Sequence, residues 1–224
     1  MPVSRALAAA LALLLVAAMP VRATTPPTIT VVDSINPGSD DSYAMDLSDS
    51  IAVNGYLYFQ GYNDTYSYEL WRTNGTSTTL VKNISSDSAS SPENFAPMGD
   101  YLYFSAYIFG QGYELWRTDG TEAGTTLVKD INAGSGGADG SYPAHYVQLG
   151  DYLYFSATQD TTGSELWRTD GTEAGTTLVK DIANGTDGSG PSNYFEFGDY
   201  VYFQANDGTS GYELWRTDGT EAGT

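Results

Sequence analysis

Cysteine is absent from the 224 residues, so no disulfide can hold this chain together; packing and backbone pairing must do so, with or without bound ions. Basic residues are scarce: nine Lys and Arg stand against 28 Asp and Glu. A chain this acidic is repelled by nucleic acid and by anionic lipid surfaces, which excludes a nucleic-acid partner and membrane-surface binding. Histidine occurs once, at His145, so a catalytic or metal centre built on several histidines is excluded as well. Beyond the first 23 residues, no apolar run approaches the roughly 18 residues that a membrane helix needs. Helix-period patterns are missing there too.

The apolar run that does exist lies at the start. Arg5 precedes an unbroken Ala/Leu/Val stretch from Ala6 to Ala18, and Val21-Arg22-Ala23 offers small residues where a signal peptidase cuts. Residues 1–23 therefore read as a secretory signal, and residues 24–224 as one extracellular domain. Arg5 and Arg22 fall in the leader, which leaves seven bases against 28 acids, a net charge of −21. Two readings of these dispersed acids stay open, solubility in salty or cation-rich surroundings and divalent-cation binding.

What the sequence has in abundance is one repeated unit. Glu-Leu-Trp-Arg-Thr occurs at Glu69–Thr73, Glu114–Thr118, Glu165–Thr169 and Glu213–Thr217. All four tryptophans, Trp71, Trp116, Trp167 and Trp215, hold this one position, 45, 51 and 48 residues apart. That period is the length of a propeller blade. The seven bases recur with it, as the Arg after each Trp and as Lys82, Lys129 and Lys180. Repeat boundaries fall near 28–77, 78–125, 126–176 and 177–224.

Each unit reads as four short strands. In the third, His145–Leu149 alternates, Gly150-Asp151 turns, and Tyr152–Ala157, Glu165–Arg168 and Thr177–Ile182 follow. The middle two strands carry large apolar groups on both faces, so both faces must be covered, as blades are by their neighbours around a ring. The expected fold is all-β, a four-bladed β-propeller of four-stranded antiparallel blades. The chain stops where earlier copies continue into Leu-Val-Lys-Asp-Ile, and Thr28–Ile35 supplies a matching strand. That N-terminal strand is expected to close the ring on the fourth blade, within one chain or by head-to-tail exchange between chains.

These residues resemble the bacterial ELWxxDGT repeat family, named for its motif. Glu114–Thr121, Glu165–Thr172 and Glu213–Thr220 match it in full, and Glu69–Thr76 differs only by Asn74. The first copy also has Ser77 where the others read Glu-Ala-Gly. The resemblance covers essentially the whole chain after the leader. It implies a secreted or surface-exposed propeller-like protein and carries no catalytic residue with it.

Asp-Gly after each motif suits a turn with φ > 0, which Asn74-Gly75 makes equally well. Glu and Arg of the motif point to opposite faces, so ion pairs between neighbouring blades are expected. Four near-identical glutamates lack the asymmetry that a two-carboxylate glycosidase needs, which argues against an enzyme. Asp49, Asn94, His145 and Asn193 each begin an innermost strand, where they form a ring at a channel mouth that either holds a polar ligand or caps the strands. Asp130, Asn132, Asp139 and Ser141 offer oxygens for a Ca²⁺ cofactor, against plain loop chemistry. Tyr43, Tyr62, Tyr66 and Tyr142, in loops, are the candidates for stacking on an extracellular glycan. The sequence thus points to a structural or interaction module with itself or a glycan as partner.

Overall fold

Why the repeat makes sheet rather than helix is visible in its turns. Asn54-Gly55 joins the first two strands with φ of 51° and 80°, the pair of left-handed residues that a tight hairpin matched to strand twist requires. In the next three copies a glycine with φ near 60°, Gly99, Gly150 and Gly198, makes the same connection. The aromatic and β-branched runs on either side then pair.

A computed structural model describes residues 32, 35–36, 49–133 and 140–224. Sheet 1 contains β1 (Ile51–Val53), β2 (Tyr56–Asn63), β3 (Ser67–Thr73) and β4 (Thr78–Lys82), and sheet 2 contains β5 (Glu93–Met98), β6 (Tyr101–Ile108), β7 (Gly112–Thr118) and β8 (Thr126–Lys129). Sheet 3 is built from β9 (Ala144–Leu149), β10 (Tyr152–Gln159), β11 (Gly163–Thr169) and β12 (Thr177–Lys180). Sheet 4 has three strands among the described residues, β13 (Ser192–Phe197), β14 (Tyr200–Asn206) and β15 (Tyr212–Thr217). Every pairing is antiparallel between sequence neighbours, so each sheet is an up-and-down meander. The protein is all-β and propeller-like, with the inner strands β1, β5, β9 and β13 packed in succession.

The two apolar faces of each sheet do different work. Leu102, Phe104, Ala106 and Trp116 of sheet 2 pack on Tyr58, Leu70, Val81 and Ile84 of sheet 1. The opposite face of sheet 2, with Tyr103, Leu115, Val128 and Ile131, packs on Leu153, Phe155, Ala157 and Trp167 of sheet 3. Sheet 3 repeats the arrangement toward sheet 4 with Tyr154, Leu166, Val179 and Ile182 against Val201, Phe203, Ala205 and Trp215. Trp116, Trp167 and Trp215 thus lie at the sheet-to-sheet seams, whereas Trp71 faces no preceding sheet among the described residues. Each seam has a leading face, carrying the motif Leu, and a receiving face, carrying the motif Trp. The alternation of Leu and Trp along one strand produces this polarity.

Among the described residues nothing packs on the leading face of sheet 4. Leu214 is 77% exposed, whereas its counterparts Leu70, Leu115 and Leu166 are fully buried. Phe195 and Phe197 are exposed beside it. A ring closed on this face is therefore not seen. Of the Thr28–Ile35 strand only Val32 and Ile35 are described, so its pairing with β15 lies outside the described residues.

Candidate functional site

The motif glutamates have a structural task, though not the ion pairing expected of them. Glu114 is fully buried, and its oxygens accept from the backbone N–H of Ile131 (2.9 Å), the N–H of Ser141 (2.9 Å) and the hydroxyl of Ser141 (2.6 Å). Glu165 does the same with Ile182, Ala183 and Ser189, and Glu69 accepts from Ile84 N–H and the Ser90 hydroxyl. Each glutamate therefore pins the loop that leaves its own sheet. Burial pushes the carboxyls of Glu69 and Glu114 up, Glu69 to about 7, against the opposing pull of these donors.

The serine partners were missed in the sequence, although they carry a signal. Ser90, Ser141 and Ser189 each begin a Ser-x-Pro triplet, Ser90-Ser91-Pro92, Ser141-Tyr142-Pro143 and Ser189-Gly190-Pro191. Loop lengths between Glu and Ser differ from copy to copy, which hides the correspondence. The same serines offer their carbonyl oxygens to Tyr107, Thr158 and Asn206 of the following sheet. One residue thus ties the buried glutamate to the next blade.

Arginine and lysine do not pair with those glutamates, so the expected ring of ion pairs is replaced by another arrangement. Arg117 stacks over Tyr101, 4.5 Å from the ring centre, and donates to the Gly171 carbonyl of the next sheet at 2.7 Å. Arg168 repeats this with Tyr152 and Gly219. Lys82, Lys129 and Lys180 donate to the carbonyls of Thr125, Thr176 and Thr224 at 3.0, 3.0 and 2.7 Å. Arg lies on the leading face with Leu and faces away from the Trp face that carries Glu, so it reaches forward to the next turn. The turn glycine is doubly required: Gly171 has φ 91°, and a Cβ there would collide with the Tyr103 hydroxyl. Within the turn, Asp170 Oδ1 accepts from the Thr172 hydroxyl and N–H, which holds its carboxyl below the usual range. Asn74 accepts the same two bonds from Thr76, which explains why Asn stands there.

The four inner-strand residues come together only in part. Asp49 Oδ2 accepts from the Asn94 backbone N–H at 3.0 Å, across two sheets. Asn94, His145 and Asn193 have φ of 58°, 60° and 56°, and each sits where the pairing of its strand slips by a bulge. Asn is several-fold enriched in that conformation, and His is too, so the residue types follow from the backbone. His145 Nδ1 contacts Ser156 Oγ at 3.2 Å within its own sheet.

Of the proposed cation ligands, Asp139 lies outside the described residues. Asp130 Oδ2 accepts from Gln111, Asn132 donates to Asp160 and accepts from its backbone N–H, and Ser141 serves Glu114. These three side chains thus point to different partners. Among the described residues no group of three His, Asp or Glu gathers as a metal would require.

The tyrosines divide. Tyr43 lies outside the described residues. Tyr62 donates to Asp64 and rests 5.0 Å from the Tyr68 ring. Tyr66 lines a polar groove of about 300 Å³ with Asp64, Asn83 and Asp87. Tyr142 is 52% exposed and stacks on Tyr113 at 5.6 Å, and Tyr107 meets Tyr113 edge-on. Its φ of 48° turns the ring outward at a place where the other copies have Ser91 and Gly190.

No family model matches the chain, and no curated protein matches it. Solved structures resemble it distantly. The computationally designed Ika8 protein is 12% identical, with a TM-score of 0.42, over 77% of this chain and 46% of that one. A xyloglucan-locus GH43B protein of Bacteroides ovatus is 15% identical, with a TM-score of 0.39, over 75% and 37%. The GH74 xyloglucanase of Xanthomonas campestris is 16% identical, with a TM-score of 0.41, over 74% and 28%. The chain spans less than half the length of each of these, and at such distance they carry no argument about chemistry.

Proposed function

We propose that this is a secreted, non-enzymatic propeller module that serves structure or interaction at a cell surface or in an extracellular matrix, as a member of the ELWxxDGT repeat family. It is a four-blade unit whose last blade is completed by the N-terminal strand. One observation carries the reading: the polar side chains of the recurring motif are engaged in holding sheets to loops and sheets to each other. Glu114 grips its own exit loop, Asp170 its turn, and Arg117 and Lys129 the next sheet. A motif whose chemistry is consumed by folding leaves recognition to the surfaces between copies, and propeller architecture by itself assigns no activity. The leader at residues 1–23 supports export.

The test is to incubate purified protein with a panel of plant and bacterial polysaccharides and follow released reducing ends. No turnover above buffer is expected. Release of product that a single side-chain substitution abolishes would overturn the reading.

A second reading has its own observation. Tyr142, exposed and stacked on Tyr113, presents the kind of ring on which a sugar face packs. On a glycan array, binding that disappears in Tyr142→Ala while the melting temperature holds would favour a lectin-like module.

A further inference from the structure

The bare leading face of sheet 4 and the chain near Ile35 are the two halves of one seam. At the seam between sheets 2 and 3 the end of the outer strand meets the hairpin of the following sheet. Between sheets 2 and 3, Gln159 Nε2 donates to the Ile131 carbonyl at 3.3 Å, and the Asp160 N–H donates to Asn132 Oδ1 at 2.9 Å. Sheet 1 makes the same two bonds with the N-terminal segment. Asn63 Nδ2 donates to the Ile35 carbonyl at 3.2 Å, and the Asp64 N–H donates to Asn36 Oδ1 at 3.4 Å. Asn63 and Asp64 hold the places of Gln159 and Asp160 at the end of the second strand. Ile35-Asn36 therefore lies on sheet 1 as the outer-strand end of a preceding blade would.

That preceding blade is incomplete in a complementary way. On the receiving face of sheet 1, Phe59 and Trp71 are buried, but Leu57 is only half-buried, while its counterparts Leu102, Leu153 and Val201 are fully covered. What is lacking there among the described residues is what sheet 4 possesses: β13 and β15 with Phe195, Phe197 and Leu214 exposed on the leading face. Arg216 stands ready on that face, stacked over Tyr200 at 4.4 Å as Arg117 is over Tyr101.

We infer that sheet 4 docks on sheet 1 and the Ile35-Asn36 segment of a second copy of this chain, forming a head-to-tail contact that repeats the three internal seams. The occupant is a second copy because the chain's own first sheet leaves Leu214 exposed. Arg216 then donates to the Gly75 carbonyl of the neighbour, as Arg168 does to Gly219. The contact is weaker than the internal seams. The lysine latch needs the carbonyls of a Glu-Ala-Gly-Thr turn, as Lys82 uses Glu122 and Thr125, and the first copy has Ser77 in place of Glu-Ala-Gly. A heterologous interface of this kind propagates rather than closing at a dimer. This inference rests on the reading of the protein as an interaction module and names its partner.

Sedimentation velocity of the purified protein over a range of concentrations tests it. Species larger than a monomer are expected to grow with concentration. Leu214→Asp should move half-assembly to at least about tenfold higher concentration, the equivalent of one lost apolar anchor. At concentrations where both are monomeric its melting temperature should match the parent's, because Leu214 is exposed within the single chain. Leu57→Asp, or the milder Leu57→Ser, should block the other half. Mixed with Leu214→Asp, it should give one heterotypic pair through the two intact halves. A parent that stays monomeric at every concentration overturns the inference. In that case a lower melting temperature for Leu214→Asp reports closure within one chain, and an unchanged one reports a face that nothing covers. Growth that mixing does not restore to a defined pair overturns it too, as adhesion without register. None of these readouts depends on whether the protein turns over or binds a polysaccharide, so failure of the proposed function would be recognised separately.

Discussion

The ammonium of Lys129 donates to the backbone oxygen of Thr176, 47 residues along the chain, at 3.0 Å. A side chain of one sheet thereby reads the turn geometry of the next, and the same bond recurs at Lys82 and Lys180. Lys129→Met keeps the aliphatic stem that packs along the seam and removes only the donor. The bond is charged but partly exposed, so the expected loss is about 1 kcal/mol. Arg117→Met removes both the Gly171 bond and the stacking on Tyr101, and about 2 kcal/mol is expected. Chemical denaturation measures both, and equal stability in all three proteins would mean that the latches are ornamental.

Glu114 and Glu213 occupy the same place in the motif and should behave differently. Glu114→Ala leaves two buried N–H groups and a hydroxyl without their acceptor, at a cost of about 3 kcal/mol or more. Glu213 is exposed, and Glu213→Ala should change stability by less than about 0.5 kcal/mol. Similar losses at both positions would contradict the loop-pinning role.

Stability should also depend on pH through Glu69. Its carboxyl is raised to about 7 by burial, from an ordinary value of 4.5. Between those values the folded protein holds a proton that the unfolded chain has released, so stability falls as pH rises through this window. The full effect is on the order of 3 kcal/mol at 1.36 kcal/mol per unit. Glu69→Gln cannot ionise and should flatten the profile between pH 5 and 7. A profile unchanged by that substitution would place the pH dependence in the general acidity of the surface.

Much of this architecture is legible in the repeat. Trp spacing gives the blade length, and two-sided apolar strands such as Tyr152–Ala157 require a neighbour on each face. The turn chemistry of Asp170-Gly171 follows from its residues alone. What escapes is directional information. The sequence shows Glu and Arg on opposite faces of a strand, but not that Arg reaches a backbone carbonyl and Glu a serine behind a loop of variable length. Backbone acceptors carry no residue signature, so a latch onto Gly171 or Thr176 leaves a trace only in the donor. His145 misleads for a related reason. Its type answers to a left-handed backbone at a bulge, which a pattern of side chains does not display.

Calcium distinguishes the loop reading from the cation reading. Ser141 and Asn132 are held by Glu114 and Asp160, and recruiting them to an ion would break bonds already made. Millimolar Ca²⁺ is therefore expected to leave the melting temperature where EDTA leaves it. A rise that follows calcium concentration by mass action would show that the acidic loops do hold the ion.

His145 allows the inner-strand positions to be tested one residue at a time. Asn94 and Asn193 take the same left-handed backbone in the neighbouring sheets, with φ of 58° and 56°. His145→Asn should therefore be accepted within about 0.5 kcal/mol, because asparagine tolerates that conformation and still offers polar atoms toward Ser156. His145→Val brings a β-branched side chain into a conformation it strongly disfavours, and a loss of about 1–3 kcal/mol is expected. His145→Gly relieves the backbone but gives up the Ser156 contact, so it should fall between the two. This order, Asn above Gly above Val, is the signature of a backbone requirement. A ligand held on the imidazole would produce another pattern, in which all three substitutions leave stability alike and abolish ligand-dependent stabilisation together. Thermal melts of the three variants, with and without dialysis against chelator, separate the two outcomes.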